Sequence, residues 1–346
     1  MTSKQLLRKF SLVLLSLMIL SDAKGQWVSK DEQASNSPPT TYDELLHHYH
    51  TEAAPGAAIA IVENGAMTFS GEFGQSNLEL STPINRSTVF NAGSLAKQFT
   101  AYGIAQLVVD GTISLDDDVR LFLPEVANLD DPVLIRHLVH HTSGLKDQLG
   151  VLVLSGWRYT DTITSEDVLQ MTSRLEELDQ IPGSAHIYSN TNYSLLAQIV
   201  ERVTDVPFPE WIDDTIFRPL EMHNTSIVSS PTQIIPGLAD GYENTDPSSL
   251  EKQPIYWYEV GPGSLYSTAE DLAKWIAQLM SSPSRPPMTK PAACKSGQPR
   301  LLARAEKKCG SRTEVWSRSM THWCGGSDRR WWKRYRSAPT GFGRTS

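Results

Sequence analysis

Phe90-Asn-Ala-Gly-Ser94-Leu-Ala-Lys97-Gln-Phe99 is the stretch from which the rest of the chain can be read. Leu95, Phe99, Tyr102, Leu107 and Val108 recur at helical spacing, and Gly111 stands as a stop, so Ser94 to Val109 is predicted to be a helix. On a helix, positions three apart share a face, which brings the Lys97 amine to the Ser94 hydroxyl. Ser94 would sit at the positive end of the helix dipole, where negative charge developing on an attacking oxygen is favoured. A mostly apolar helix also desolvates Lys97 and lowers its pKa toward the neutral form that can take a proton. The two side chains make a coherent nucleophile and base.

Ser-x-x-Lys by itself is a weak signal, since a chain of this length shows about one by chance. A second copy stands at Ser143-Gly-Leu-Lys146, but no apolar periodic helix begins there, so Ser94 is the better nucleophile. Acyl transfer also needs a proton shuttle for the leaving group. Pro182-Gly-Ser-Ala-His-Ile-Tyr188-Ser-Asn190-Thr-Asn192 supplies Tyr188 and Asn190 in a loop just before another apolar helix. A tyrosine can trade that proton if cationic lysines hold its pKa down, and Asn190 can donate its amide to Lys97 or to a substrate carbonyl. Tyr242-Glu-Asn244 repeats the spacing in an acidic loop with no helix after it, and is set aside.

On these residues the chain resembles the serine β-lactamase-related family: class C β-lactamases, low-molecular-mass penicillin-binding proteins and their esterase relatives. Further segments carry the likeness: Pro55-Gly-Ala-Ala-Ile-Ala, His137-Leu-Val-His-His-Thr-Ser-Gly-Leu145, Tyr188-Ser-Asn-Thr-Asn-Tyr193, Pro219-Leu-Glu-Met222 with Thr225, and Gly261-Pro-Gly-Ser-Leu-Tyr-Ser-Thr-Ala-Glu-Asp-Leu-Ala273. In order and spacing they cover about residues 40–282. The resemblance implies acylation of Ser94, general acid/base work by Lys97 and Tyr188, support from Asn190, and an oxyanion hole that includes the Ser94 N–H. It calls for no cofactor and no metal. The family's third motif, Lys-Thr-Gly or His-x-Gly, should lie beyond residue 282. The nearest match is His322-Trp-Cys-Gly325-Gly326, at the wrong spacing, so His322 is the candidate for that substrate-binding role.

The fold implied is α+β, β-lactamase/transpeptidase-like, an antiparallel sheet flanked by helices with an all-helical region, and no visible pattern for the C-terminal strands. The residues agree with an α+β plan. Ala57–Val62 and Ala66–Phe73 read as strands joined by an Asn64-Gly65 turn. Helices fit Tyr42–His50, Val133–His140, Ser165–Ser173, Asn192–Val203, Phe208–Phe217 and Thr268–Met280. Residues Ser267 or Thr268 cap the last, with Glu270 and Asp271 in its first turn.

The 346 residues carry 31 Lys+Arg against 39 Asp+Glu, and no apolar run reaches the ~20 residues of a membrane span. The acidic balance argues against nucleic acid as a partner. A small-molecule or peptidoglycan-type substrate is expected instead, and the oligomeric state is not readable. Lys4, Arg8 and Lys9, the apolar run Phe10–Leu20 and the small residues Ser21 and Ala23 read as a signal peptide over 1–23, which predicts export to a periplasm or the cell exterior. A flexible lead-in follows over 24–41, then a serine hydrolase domain over 42–282. Charge is unevenly spread: Pro283–Ser346 holds 15 Lys+Arg against 3 Asp+Glu, leaving 16 against 36 for residues 1–282.

All three cysteines and four of the nine tryptophans fall in that basic segment, where neither strand nor helix periodicity persists. It reads either as an appendage for an anionic surface or as translation out of frame after about residue 283. The second also explains the lost periodicity. Two rival functions stand beside the hydrolase: a non-catalytic cell-wall-binding protein of the same fold, and the inactive product of a damaged gene. The clusters His137, His140, His141 and His47, His48, His50 are read as structural or solvated, not as zinc ligands.

Overall fold

The computed structural model describes residues 54–281, apart from 127–128, 130, 159–160 and 247–248. The expected signal peptide, the lead-in, the helix over Tyr42–His50, the basic segment and His322 lie outside the described residues.

The described chain opens with a hairpin. Strands β1 (Ala57–Glu63) and β2 (Ala66–Phe73) pair antiparallel from Ala57 opposite Phe73 to Glu63 opposite Ala66. Asn64 and Gly65 turn the chain with φ of 54° and 80°, the left-handed pair that a two-residue hairpin turn requires. A small second pair, β3 (Gln75–Asn77) and β4 (Thr82–Pro83), leads to β5 (Phe90–Asn91). One turn of 3₁₀ helix, Gly93–Leu95, then feeds helix α1 (Ala96–Val109), so Ser94 stands in the tight turn at its entrance.

Helices α2 (Ile135–Val139), α3 (Gln148–Leu154), α4 (Ser165–Thr172), α5 (Asn190–Thr204) and α6 (Phe208–Ile212) follow, the last widening into a π turn over Asp213–Phe217. Next come β6 (Ser226–Ile227), the antiparallel ribbon β7 (Gly241–Asp246) and β8 (Ser249–Gln253), β9 (Leu265–Ser267), and α7 (Ala269–Ser281). Strand β9 lies between β5 and β6 and pairs antiparallel with both. All the paired strands are antiparallel and the sheets are small, beside a largely helical body: an α+β fold.

Helix α1 is buried nearly all round, from Ala96 through Leu107, and so is the first half of α5. Such helices form the centre of a fold and need no polar face. Phe99 of α1 packs on Trp275 of α7 with ring centroids 4.5 Å apart, and meets Phe217 edge-on at 5.4 Å. Through Trp275, α7 joins the hairpin it packs against to α1. Thr268 caps α7, its hydroxyl accepting the Asp271 N–H at 3.2 Å.

Three local readings are corrected. Helix α2 starts at Ile135 because Leu134 is extended, with φ of −92° and ψ of 154°, and the Val133 carbonyl before it accepts the Val119 N–H at 2.9 Å. Helix α3, unforeseen from the sequence, begins where Asp147 caps it by accepting the Leu149 N–H at 3.1 Å. Tyr242 lies in β7, not a loop. Pairing with Ser249–Gln253 sets that strand, and acidic composition hides it; the Tyr242 hydroxyl accepts the Leu78 N–H at 2.8 Å.

Candidate active site

Four of the residues singled out in the sequence meet at the entrance of α1. Lys97 Nζ lies 3.1 Å from Ser94 Oγ, 2.8 Å from Asn190 Oδ1 and 2.8 Å from the carbonyl oxygen of Pro262. Lys97 is 1% exposed. Burial drives its pKa from 10.5 down to about 7, against the pull of Glu259 and Asp147, which favour the ammonium. A neutral amine has two N–H bonds and one lone pair. Asn190 Oδ1 and the Pro262 carbonyl can only accept, so they take the two N–H groups, and the lone pair is left for the Ser94 hydroxyl. The surroundings thus orient Lys97 as a base.

Tyr188 reaches the same oxygen from the solvent side, its hydroxyl 3.0 Å from Ser94 Oγ and 3.2 Å from Asn190 Oδ1. The Lys97 nitrogen stands 4.9 Å from the centre of the Tyr188 ring. The expectation that cationic lysines depress Tyr188 is corrected. Burial raises its pKa; the Ser94 hydrogen bond opposes this, and the Asp147 and Glu259 charges add to the rise. Among the described residues the lysine at Tyr188 is Lys97, itself drawn to about 7, and the charges that act on Tyr188 are the acids Asp147 and Glu259, which disfavour a phenolate. Tyr188 is therefore a phenol, equipped to give a proton. Toward Lys97, Asn190 plays the reverse of one of its two expected parts, since its carbonyl oxygen accepts from the amine.

A desolvated lysine and a tyrosine thus meet on one serine hydroxyl at the entrance of a buried helix. The profile of the Beta-lactamase family matches residues 42–315. The chain belongs to the beta-lactamase family. It is 28% identical to a D-aminopeptidase of Gluconobacter oxydans (strain 621H) over 253 residues, 71% of this chain and 47% of that protein. It is 32% identical to Penicillin-binding protein 4* of Bacillus subtilis (strain 168) over 181 residues, 51% of this chain and 39% of the other. Among solved structures, the octameric penicillin-binding protein homologue from Pyrococcus abyssi matches with a TM-score of 0.57 and 30% identity, covering 64% of this chain and 51% of that one. The chain spans about half the length, or less, of these curated relatives.

Around this beta-lactamase-family site lie residues the sequence reading passed over. Asp147, just before α3, accepts the Asn190 N–H at 2.6 Å and so fixes the start of α5. Burial raises its pKa, although the Asn190 and Leu149 N–H groups and Lys97 pull it down. Glu259 is fully buried; Gln148 Nε2 and Trp257 Nε1 donate to its Oε2 at 2.8 and 2.9 Å, and the Ser194 hydroxyl bonds its other oxygen. Burial pushes Glu259 up to about 8 against those donors and Lys97. Two buried acids therefore face one buried amine. No spacing rule points to them; Glu259 stands two residues before Gly261, the single local hint.

The second Ser-x-x-Lys is not a site. Ser143 is buried and donates to Asn192 Oδ1 at 2.5 Å, while Lys146 is paired with Asp179 on the surface. Of the first histidine cluster, His137 Nδ1 accepts the Leu134 N–H at 3.2 Å, and His141 is buried with its ring against those of Tyr188 and Tyr193. Among the described residues no group of three or more His, Cys, Asp or Glu is placed to hold a metal.

Proposed function

We propose that the protein is an exported serine hydrolase that forms an acyl-enzyme on Ser94 with an ester, peptide or β-lactam carbonyl. The carrying observation is that Lys97, nearly fully buried and drawn to about 7, has its N–H groups spoken for and its lone pair free toward Ser94 Oγ. The Ser94 proton passes to Lys97 as Oγ bonds to the carbonyl carbon. Tyr188 then protonates the leaving group as its bond to that carbon breaks, and is reprotonated from Lys97. Water next attacks the ester, giving up a proton to the same pair while the Ser94 oxygen leaves with one.

The names of two relatives, D-aminopeptidase and penicillin-binding protein, support a peptide or β-lactam carbonyl over other acyl groups. Export rests on the basic, then apolar, then small-residue order of residues 1–23. The family match runs on to residue 315, so only the end of the basic segment, beyond that match, is proposed to lie outside the hydrolase domain proper.

The test is intact-mass spectrometry of the full chain after short exposure to p-nitrophenyl acetate, a D-alanyl peptide and benzylpenicillin. A covalent acyl mass on Ser94 from at least one is expected. Slow loss of a penicilloyl adduct marks a peptidase, fast loss a β-lactamase. A folded chain that takes no acyl group from any of them contradicts the proposal.

A further inference from the structure

His141 grips the chain on both sides of Tyr188. Its carbonyl oxygen accepts the Ile187 N–H at 2.8 Å, and its Nδ1 accepts the Ser189 N–H at 3.2 Å. Between those two bonds its ring lies against the Tyr188 ring, centroids 4.6 Å apart and planes 30° from parallel. The imidazole also meets the Tyr193 ring at 5.0 Å, and His186 approaches edge-on at 5.7 Å. Tyr193 is itself anchored, its hydroxyl donating to the Val139 carbonyl at 3.1 Å. Three successive residues, 187 to 189, are thus each held by the one histidine.

The protonation state of that ring follows from its partners. A backbone N–H can only donate, so Nδ1 carries the lone pair and the ring is neutral with its proton on Nε2. Asn192 Nδ2, 3.2 Å from the same Nδ1, fits this, because Asn192 Oδ1 is already taken by the Ser143 hydroxyl. The Leu145 N–H in turn donates to Ser143 Oγ at 3.0 Å. The arrangement is not the cheapest available to the chain. His141 has φ of 53°, a left-handed backbone uncommon outside glycine and asparagine, and its buried Nε2–H finds no acceptor among the described residues. A position kept despite such local strain is one the surroundings over-determine, as is found at functional sites.

We infer that His141 is a positioning residue for Tyr188: it clamps residues 187 and 189 and supports the Tyr188 ring, so that the phenol meets Ser94 Oγ. The inference rests on the acyl-enzyme reading of the same site. His141 touches neither Ser94 nor the reacting atoms, and acts through Tyr188. Ser143 and Asn192 belong to the clamp, which accounts for their burial without any role in chemistry.

The test uses the full chain with His141→Asn. Asparagine tolerates the left-handed backbone and can still accept the Ser189 N–H, but it removes the ring. The maximal rate at which Ser94 is labelled by a D-alanyl anilide, whose amine leaving group must take the Tyr188 proton to depart, is expected to fall about tenfold or more, with the half-saturating concentration within about twofold of the parent. In a Tyr188→Phe background the same substitution should cost no more than about twofold, because the residue it acts through is already disabled. Equal losses in both backgrounds, or a parental maximal rate in His141→Asn, would overturn the inference. If His141→Asn does not fold, His141→Gln serves the same comparison.

A further readout does not depend on labelling at all. With carbon-13 tyrosine, the order parameter of the Tyr188 ring should drop in His141→Asn. An unchanged Tyr188 ring would refute the positioning role even in a chain whose Ser94 takes no probe. Absence of labelling in the parent chain alone would count against the acyl-enzyme reading and leave the ring measurement to decide the role of His141.

Discussion

Lys97 Nζ donates to the Pro262 carbonyl oxygen at 2.8 Å, a bond that spans 165 residues of sequence and ties the first turn of α1 to the loop before β9. Thr100, one turn further along α1, donates to the neighbouring Gly261 carbonyl at 2.8 Å. Gly261 has φ of 102°, and a Cβ there would stand 2.3 Å from the Tyr193 carbonyl oxygen. Only glycine lets this loop approach α5 closely enough to hold the lysine. Gly261→Ala is therefore expected to cost about 2 kcal/mol or more of stability. It should also raise the midpoint of the pH–labelling curve, because a Lys97 released toward water regains its charge. Thermal melts and the pH profile of one preparation check both.

Acylation should depend on pH through Lys97. Its pKa lies at about 7, and the neutral amine is the base, so the labelling rate of Ser94 should rise with pH and level off above neutrality. Well below 7 it should fall about tenfold for each pH unit. Stopped-flow labelling from pH 5 to 9 measures the midpoint; a rate flat across pH 6 to 8 would show that Lys97 is not the titrating base.

Glu259 holds that midpoint up. Its ionised form favours the Lys97 ammonium, but burial holds the carboxyl at about 8, so little of that form is present at neutrality; removing it should move the curve to lower pH by less than a full charge at that place would. Glu259→Gln suits the test because the amide oxygen can accept from Trp257 and Gln148 while its NH₂ turns to Ser194. A midpoint that stays in place would show that the two groups are not coupled.

Stability should respond to His141. Burial, with Lys97, His186 and His140 nearby, drives its pKa from 6.5 to about 3. Between those values the unfolded chain binds a proton that the folded chain refuses. Stability is therefore lost as pH falls from 6.5 toward 3, by at most about 1.4 kcal/mol per pH unit from this group. Denaturant unfolding at pH 4 to 7 should show a shallower acid slope for His141→Asn than for the parent.

Much of the site could be read from local pattern, because local pattern builds it. Ser94 and Lys97 are one helical turn apart, and Tyr188 and Asn190 stand at the next buried helix. Asn64-Gly65 announced the hairpin for the same reason, since two left-handed residues in a row have one common use. What sets the behaviour of the site is not local. Glu259 and Asp147 act on Lys97 through space, and His141 reaches Tyr188 across 47 positions by a stacking contact that no periodicity encodes. Tyr188 shows the cost of reasoning without burial: its pKa moves up, where a lysine-rich surrounding would have moved it down. The ribbon β7–β8 was hidden because acidic residues mask strand alternation.

Ser94 as an activated nucleophile is the claim on which the rest depends. Intact-mass spectrometry of the purified full chain, before and after a fluorophosphonate probe, tests it most directly, with Ser94→Ala as control and Ser143→Ala beside it. One adduct per chain is expected, lost in Ser94→Ala and kept in Ser143→Ala. A folded parent chain that takes no adduct, or an adduct that survives Ser94→Ala, would contradict it.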